Sequence, residues 1–466
     1  MSSNVRGIAH LEAGGCLLTP DLRQSRIFRK LHDRAQITAG RAVWPTAQVL
    51  PLDAWLLQQW REAGATRDDH LPQPLALVAL RWLWRDQTRR DSPGLMDPAE
   101  LGSRARTSWL KLRAFGGTID DVTRFPLTRD QQAFVVWSRA AEQDMRERGA
   151  WDPMDLARLF VEHDVIPDTG PPLLLAGFRR MTPVQSVLVE ALKAKGWSVE
   201  QLEPELDGNL TSLYAASDPE AERTAMLDWL RGWLDRRPDG LHALIVPNLD
   251  TGRGALQRAL EASLQPELEL PSTVRRQRVF DLAGGTPLLI QPVAQCAIEA
   301  IACALGEFDW TIVSRLLRSP YLAGARAEEA VRVRLDLQLR CAPAAAKFSV
   351  GALMARAAAG GAGQLTSMLK AAVAALAGPA RREAGRWAES FGACLAAWGW
   401  PGEIPLASEE FQAARHFREI LRELVALTSV APEIGASQAL DELRRLAAVP
   451  FQPESGEPAV FVLDAY

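Results

Sequence analysis

The chain has 466 residues, 47% hydrophobic and 24% charged, proportions that exclude a disordered polymer and supply a large buried core. That length corresponds to about three domains at roughly 150 residues each. Its 53 basic and 57 acidic residues leave a formal net charge of −4, which excludes a globally basic nucleic-acid binder but permits a local basic groove.

Six of the basic residues are lysines (Lys30, Lys111, Lys193, Lys195, Lys347, Lys370), so the positive charge is nearly all arginine. Five scattered cysteines with no CxxC pair argue against a disulfide framework or a zinc site and for a reducing cytoplasm. Cys296 and Cys303 are spaced two turns apart on one helix face, as core positions are. The segment Met1–His10 lacks the pattern of a signal peptide, and no apolar run approaches the roughly 20 residues of a membrane span.

The first predicted element is Gly14–Pro20, a buried strand ending in Thr19-Pro20, read as N-cap and first helical turn. From Pro51 to about Trp151 the pattern is helical, with Trp55, Trp60, Trp82, Trp84, Trp109 and Trp137 on core-facing stripes. Leu173–Phe178 is a continuous apolar run that fits a strand covered on both faces, and Thr182-Pro183 starts the next helix. Further strands are expected at Ser198–Leu202, Ser212–Ala215 and Ala243–Val246, with helices from Asp218 to about Asp235 and from Gly252 to about Leu264. Such alternation argues a parallel sheet. Pro292–Val449 is again helical, broken by an expected mobile loop at Ala355–Gly363, and Pro458–Asp464 is a final strand-like run.

Several chemistries lack their residues. None of the six lysines follows a glycine, so no Walker A loop can wrap nucleotide phosphates. The six histidines show no metal-binding spacing, and no GxSxG elbow occurs. After Asp168 the nearest acid and lysine, Glu190 and Lys193, fall on a predicted helix rather than alternating on a strand, which argues against a PD-(D/E)xK nuclease.

The stretch Leu173–Gln185 (LLLAGFRRMTPVQ) resembles the Walker B segment of superfamily-one helicases, with Phe178, Pro183 and Gln185 keeping the frame. In that frame the magnesium-binding aspartate position is Ala176, the water-activating glutamate position is Gly177, and the next two polar positions are Arg179 and Arg180. Cys16–Arg23 is similar to the helicase segment after the first helix, whose threonine commonly touches the single-strand backbone. Ser217–Trp229 resembles the acidic motif opening the second helicase core. Phe308–Leu322 and Trp398–Phe411 look like the helical portion of a proteobacterial family of probable DNA repair proteins related to AddB and RecC.

The resemblance implies an α/β fold with large helical insertions, built on degenerate superfamily-one helicase-like P-loop cores, the second truncated. Core 1 is expected over 1–70 and 166–208 around an insertion at 71–165; core 2 over 209–290 and 451–466 around an insertion at 291–450. Members of the family usually continue into a RecB-type nuclease domain, which is absent here, so the chain looks like a truncation or a degenerate relative. The implied role is a non-catalytic, cytoplasmic module in double-strand-break end processing and recombinational repair. It would guide DNA, expected to be single-stranded and bound with modest affinity, or dock an active UvrD/RecB-like helicase subunit. No cofactor or metal is expected. Candidate nucleic-acid contacts are Thr19, Arg23, Arg179, Arg180 and Gln185, with a further basic patch at Arg275-Arg276-Gln277-Arg278. The same residues also read as a plain N-cap and solvated arginines. The alternative function is a protein-interaction scaffold or an inert fragment of a RecB-type nuclease protein.

Overall fold

The computed structural model describes residues 3–67, 71–92, 94, 97–203, 213–238, 240, 242–268, 278–341, 349–453 and 459–464. The chain is a mixed α/β protein that divides into two units, Met1–Leu210 and Thr211–Tyr466.

The first unit opens with α1 (Ser3–Glu12), β1 (Cys16–Thr19), α2 (Leu22–Thr38), β2 (Val49–Pro51) and α3 (Leu52–Thr66). A two-residue strand, β3 (Gln73–Pro74), leads into α4 (Leu77–Asp91), α5 (Pro98–Ala114), α6 (Ile119–Val122) and α7 (Arg129–Glu147). The chain returns through β4 (Ala150–Trp151) and α8 (Leu156–Glu162) to β5 (Leu173–Ala176), α9 (Pro183–Ala194) and β6 (Val199–Leu202). The sheet has the order β2-β1-β5-β6 and is parallel throughout.

Alternation along the strands places helices on both faces. Leu17, Val49, Leu174, Ala176 and Leu202 form one buried layer with Leu11 of α1 and Phe28 of α2. Cys16, Leu18, Leu173 and Leu175 face the other way, against Trp55 and Leu56 of α3, Phe160 of α8 and Leu188 of α9. Both faces are therefore apolar, which is why these strands read as continuous hydrophobic runs. All six tryptophans expected in this region's core are buried, from 0% exposure at Trp84 to 9% at Trp82 and Trp137.

Helices α4–α7 leave and rejoin the sheet layer through a narrow neck. There β3 pairs with β4 in parallel, Gln73 opposite Ala150 and Pro74 opposite Trp151. The indole N–H groups of Trp60 and Trp151 both donate to the Pro72 carbonyl, at 3.1 and 2.6 Å. Asp152, just past the neck, accepts two bonds from Arg106 of α5 at 2.7 and 2.9 Å.

The second unit repeats this plan. After α10 (Pro219–Arg236), β7 (His242–Val246), α11 (Leu249–Leu264) and β8 (Phe280–Leu282) comes a two-residue strand, β9 (Thr286–Pro287). A helical section follows: α12 (Pro292–Leu305), α13 (Trp310–Arg318), α14 (Glu329–Arg340), α15 (Val350–Ala359) and α16 (Gly363–Leu376). It continues through β10 (Arg381–Arg382), α17 (Ala384–Ala397), α18 (Ser408–Glu423), β11 (Ile434–Gly435) and α19 (Ala436–Ala447). β12 (Pro450–Phe451) pairs antiparallel with β9, closing a second neck, and β13 (Val460–Asp464) ends the described chain. β13 lies between β7 and β8 in a parallel three-stranded sheet. α12 is apolar on nearly every side, the pattern of a central helix; Trp398 and Trp400 donate their indole N–H groups to its Ala300 and Val293 carbonyls.

Four expectations need correction. The helix after β1 is capped by Asp21 and starts at Leu22; Thr19 is still strand. Most of Ala355–Gly363 is helix rather than a mobile loop, since α15 runs to Ala359, as alanine's high helix propensity favours. Ser212 and Arg275–Gln277 lie outside the described residues, and 213–215 form no strand. Arg278 is no part of a free basic patch: it pairs with Glu261 at 2.8 Å and Glu409 at 3.0 Å.

Candidate nucleic-acid interface

In the first sheet the chain leaves β1 toward β2 on one side and leaves β5 toward β6 on the other. The connections diverge between β1 and β5, and open α/β sheets bind ligands at the carboxyl ends of the strands at such a point. A cleft of about 740 Å³ opens there, bounded by Pro20 after β1, Leu52 and Asp53 at the start of α3, the turn Gly177–Arg180 and Gln185.

The turn after β5 is fixed from below and from the side. Phe178 is buried, and its carbonyl accepts the Nε2 donor of Gln201 on β6 at 3.0 Å. Thr182 and Gln185 then form a reciprocal capping box: the Thr182 N–H donates to Gln185 Oε1 at 2.9 Å, and the Gln185 N–H to Thr182 Oγ1 at 3.3 Å. The box occupies the Gln185 carbonyl oxygen and leaves its Nε2 group as a donor at the cleft. Between these anchors, Arg179 and Arg180 are exposed and have no ion-pair partner among the described residues.

The other wall, Pro20, Leu52 and Asp53, carries one acid. Asp21 caps α2, accepting the Gln24 N–H at 2.8 Å and Gln24 Nε2 at 3.0 Å. The Gln24 side chain occupies the space above Gly177: a Cβ built there would lie 1.7 Å from Gln24 Oε1, and Gly177 has φ +84°. Asp53 opens to solvent at the mouth of the cleft, yet desolvation by the wall around it pushes its carboxyl above the ordinary range. It has no ion pair among the described residues to pull it back.

The structure thus brings together three of the five candidates, Arg179, Arg180 and Gln185. Thr19 is fully buried; its hydroxyl donates to the Asp21 carbonyl at 2.7 Å and lies 2.6 Å from Ser25 Oγ. It offers no surface to a nucleic-acid backbone and serves instead to brace the start of α2. Arg23 is half-buried in the first turn of α2 and does not line the cleft. Asp53, Gln24 and Gln201 were not foreseen. Asp53 had a signal, an acid in the first turn after the Val49–Pro51 strand, whereas the two glutamines act through tertiary contacts that leave no local pattern.

Two positively charged groups, an amide donor and a pre-shaped turn suit an extended anion such as a phosphodiester. Ala176 is fully buried and Gly177 has no side chain, so neither provides an acid at the strand end. The α2 N-terminus, where a phosphate could otherwise sit, is filled by the Asp21 carboxylate. Among the described residues no group of three His, Cys, Asp or Glu side chains is arranged to hold a metal ion, and no helix is long and apolar enough to cross a membrane. No protein-family model matches the chain, and no curated protein matches it.

Proposed function

We propose that this chain is a catalytically inert, helicase-like module that guides single-stranded DNA, or docks an active UvrD/RecB-like helicase partner, in double-strand-break end processing and recombinational repair. The observation that carries the DNA-guiding part is the pair Arg179 and Arg180, exposed at the strand-end cleft and without ion-pair partners among the described residues. They follow, after Phe178, the two positions where the helicase resemblance would need acids. The repair context comes from that resemblance, and the arrangement of α/β layers interrupted by helical sections is compatible with it.

The test is a titration of labelled single-stranded DNA at two salt concentrations. If Arg179 and Arg180 neutralise two phosphates, log K falls with log salt at a slope of about −1.4, roughly a sevenfold loss between about 50 and 200 mM. Absence of binding even at the lower salt would sink the DNA-guiding reading. A scaffold reading is favoured by a separate observation: Phe115 and Phe125 are each 71% exposed, and Phe125 lines an apolar groove with Leu112, Val122 and Leu127.

A further inference from the structure

Helix α10 carries two tryptophans one turn apart. Trp229 is 51% exposed, and its ring centroid lies 6.2 Å from that of Trp233 at an interplanar angle of 58°. The guanidinium carbons of Arg236 and Arg237 each stand 5.7 Å from the Trp233 centroid. Positions 229, 233 and 236 are spaced i, i+4 and i+7, one stripe of α10, and Arg237, which caps the helix, reaches the same Trp233 ring. Leu230 and Leu234 anchor a neighbouring stripe to the core of the second unit. The acids Asp228 and Asp235 fall on the far side by the same geometry, where Asp228 faces Arg231 at 3.9 Å. Arg236 and Arg237 have no ion pair among the described residues.

We infer that this stripe is a stacking platform for single-stranded nucleic acid: a base lies on Trp229 and the neighbouring phosphates on Arg236 and Arg237. A purely apolar partner would gain nothing from two guanidinium groups that have no ion pair among the described residues, and a polyanion without rings would leave the tryptophan face in water. A single strand presents both a flat ring and a charged linker, whereas duplex bases are already stacked. The platform lies in the second unit and stands on its own observations, separate from the cleft of Arg179 and Arg180.

The experiment compares binding of a short oligothymidylate and an abasic oligomer of equal length to the full chain by fluorescence anisotropy. The abasic strand keeps the phosphates and removes the rings. Wild type binds the thymidylate more tightly, and Trp229→Ala weakens thymidylate binding roughly fivefold or more while barely affecting the abasic strand. Trp229→Phe, which keeps a ring, retains part of the preference, and R236Q/R237Q weakens both ligands. R179E/R180E lowers both affinities and leaves their ratio intact. An unchanged ratio in Trp229→Ala would overturn the platform while leaving the cleft standing. Loss of the ratio in Trp229→Ala with no effect of R179E/R180E would support the platform and overturn the cleft. No binding of either strand at low salt would overturn both. Trp229-dependent binding of a polyglutamate peptide, with DNA binding unaffected by Trp229→Ala, would overturn the platform in favour of an acidic protein partner.

Discussion

Gly177 turns with φ +84° at the end of β5, and the Gln24 side chain takes the space that a side chain there would need. A left-handed turn costs an L-residue about 1–2 kcal/mol, and an added methyl must also displace Gln24 from Asp21. Gly177→Ala therefore lowers unfolding free energy by about 1–2 kcal/mol or slightly more, measured by denaturant titration. Gln24→Ala in the same chain should recover the part due to the clash and none of the part due to φ. Asp53, across the cleft, carries a testable pH signature. Its folded pKa is raised by desolvation, so the native state holds the proton more tightly than the unfolded chain. Stability is then lost as pH rises through the folded pKa, and the cost is complete above it. Asp53→Asn removes that cost: its melting temperature exceeds wild type near neutral pH, and the gap closes at about pH 4, close to the unfolded carboxyl value. The same change removes a negative charge from the cleft and should tighten single-stranded DNA binding.

At the scale of elements, the necks decide how the helical sections attach. The Asp152 side chain is fully buried and its partner Arg106 is 14% exposed, so the pair ties α5 to the neck in a dry setting. Asp152→Ala leaves a largely buried guanidinium uncompensated, and we expect a loss of about 3–5 kcal/mol by chemical denaturation. A loss under about 1 kcal/mol would mean that the neck is held by the Trp60 and Trp151 bonds to Pro72 instead. The elements also show what a sequence can disclose. Two Thr-Pro pairs look alike, yet Thr182 caps its helix and Thr19 does not. The difference lies three residues on: Gln185 completes a capping box, whereas Leu22 cannot, and Asp21 takes over. Strands β1, β5, β6, β7 and β13 were legible because most are runs of apolar residues. β2 and β8 have three residues each, including Pro51 or Asp281, and are strands only because neighbours pair with them. In the cleft, Arg179, Arg180 and Gln185 came from the resemblance of Leu173–Gln185 to a helicase segment, while Gln24 and Gln201 depend on long-range packing.

Across the whole molecule, each unit is a small parallel sheet with a helical section inserted through a two-strand neck. The first sheet is covered on both faces. In the second, Leu244, Val460 and Val462 meet α10 and α11, while Ile245 remains 66% exposed on the edge strand. Parallel sheets are ordinarily buried on both faces, so we predict that the isolated chain self-associates through this surface, which light scattering would show as a mass rising with concentration. The net charge of −4 makes any DNA contact a local effect of a few arginines rather than of the molecule's overall field. The most direct measurement is the affinity of the full chain for single-stranded DNA at about 50 mM salt, compared between wild type and R179E/R180E. The proposed function predicts measurable binding by wild type, a loss of roughly tenfold or more in the variant, and a shallower salt dependence. Equal affinity and equal salt slope in the two proteins would contradict it.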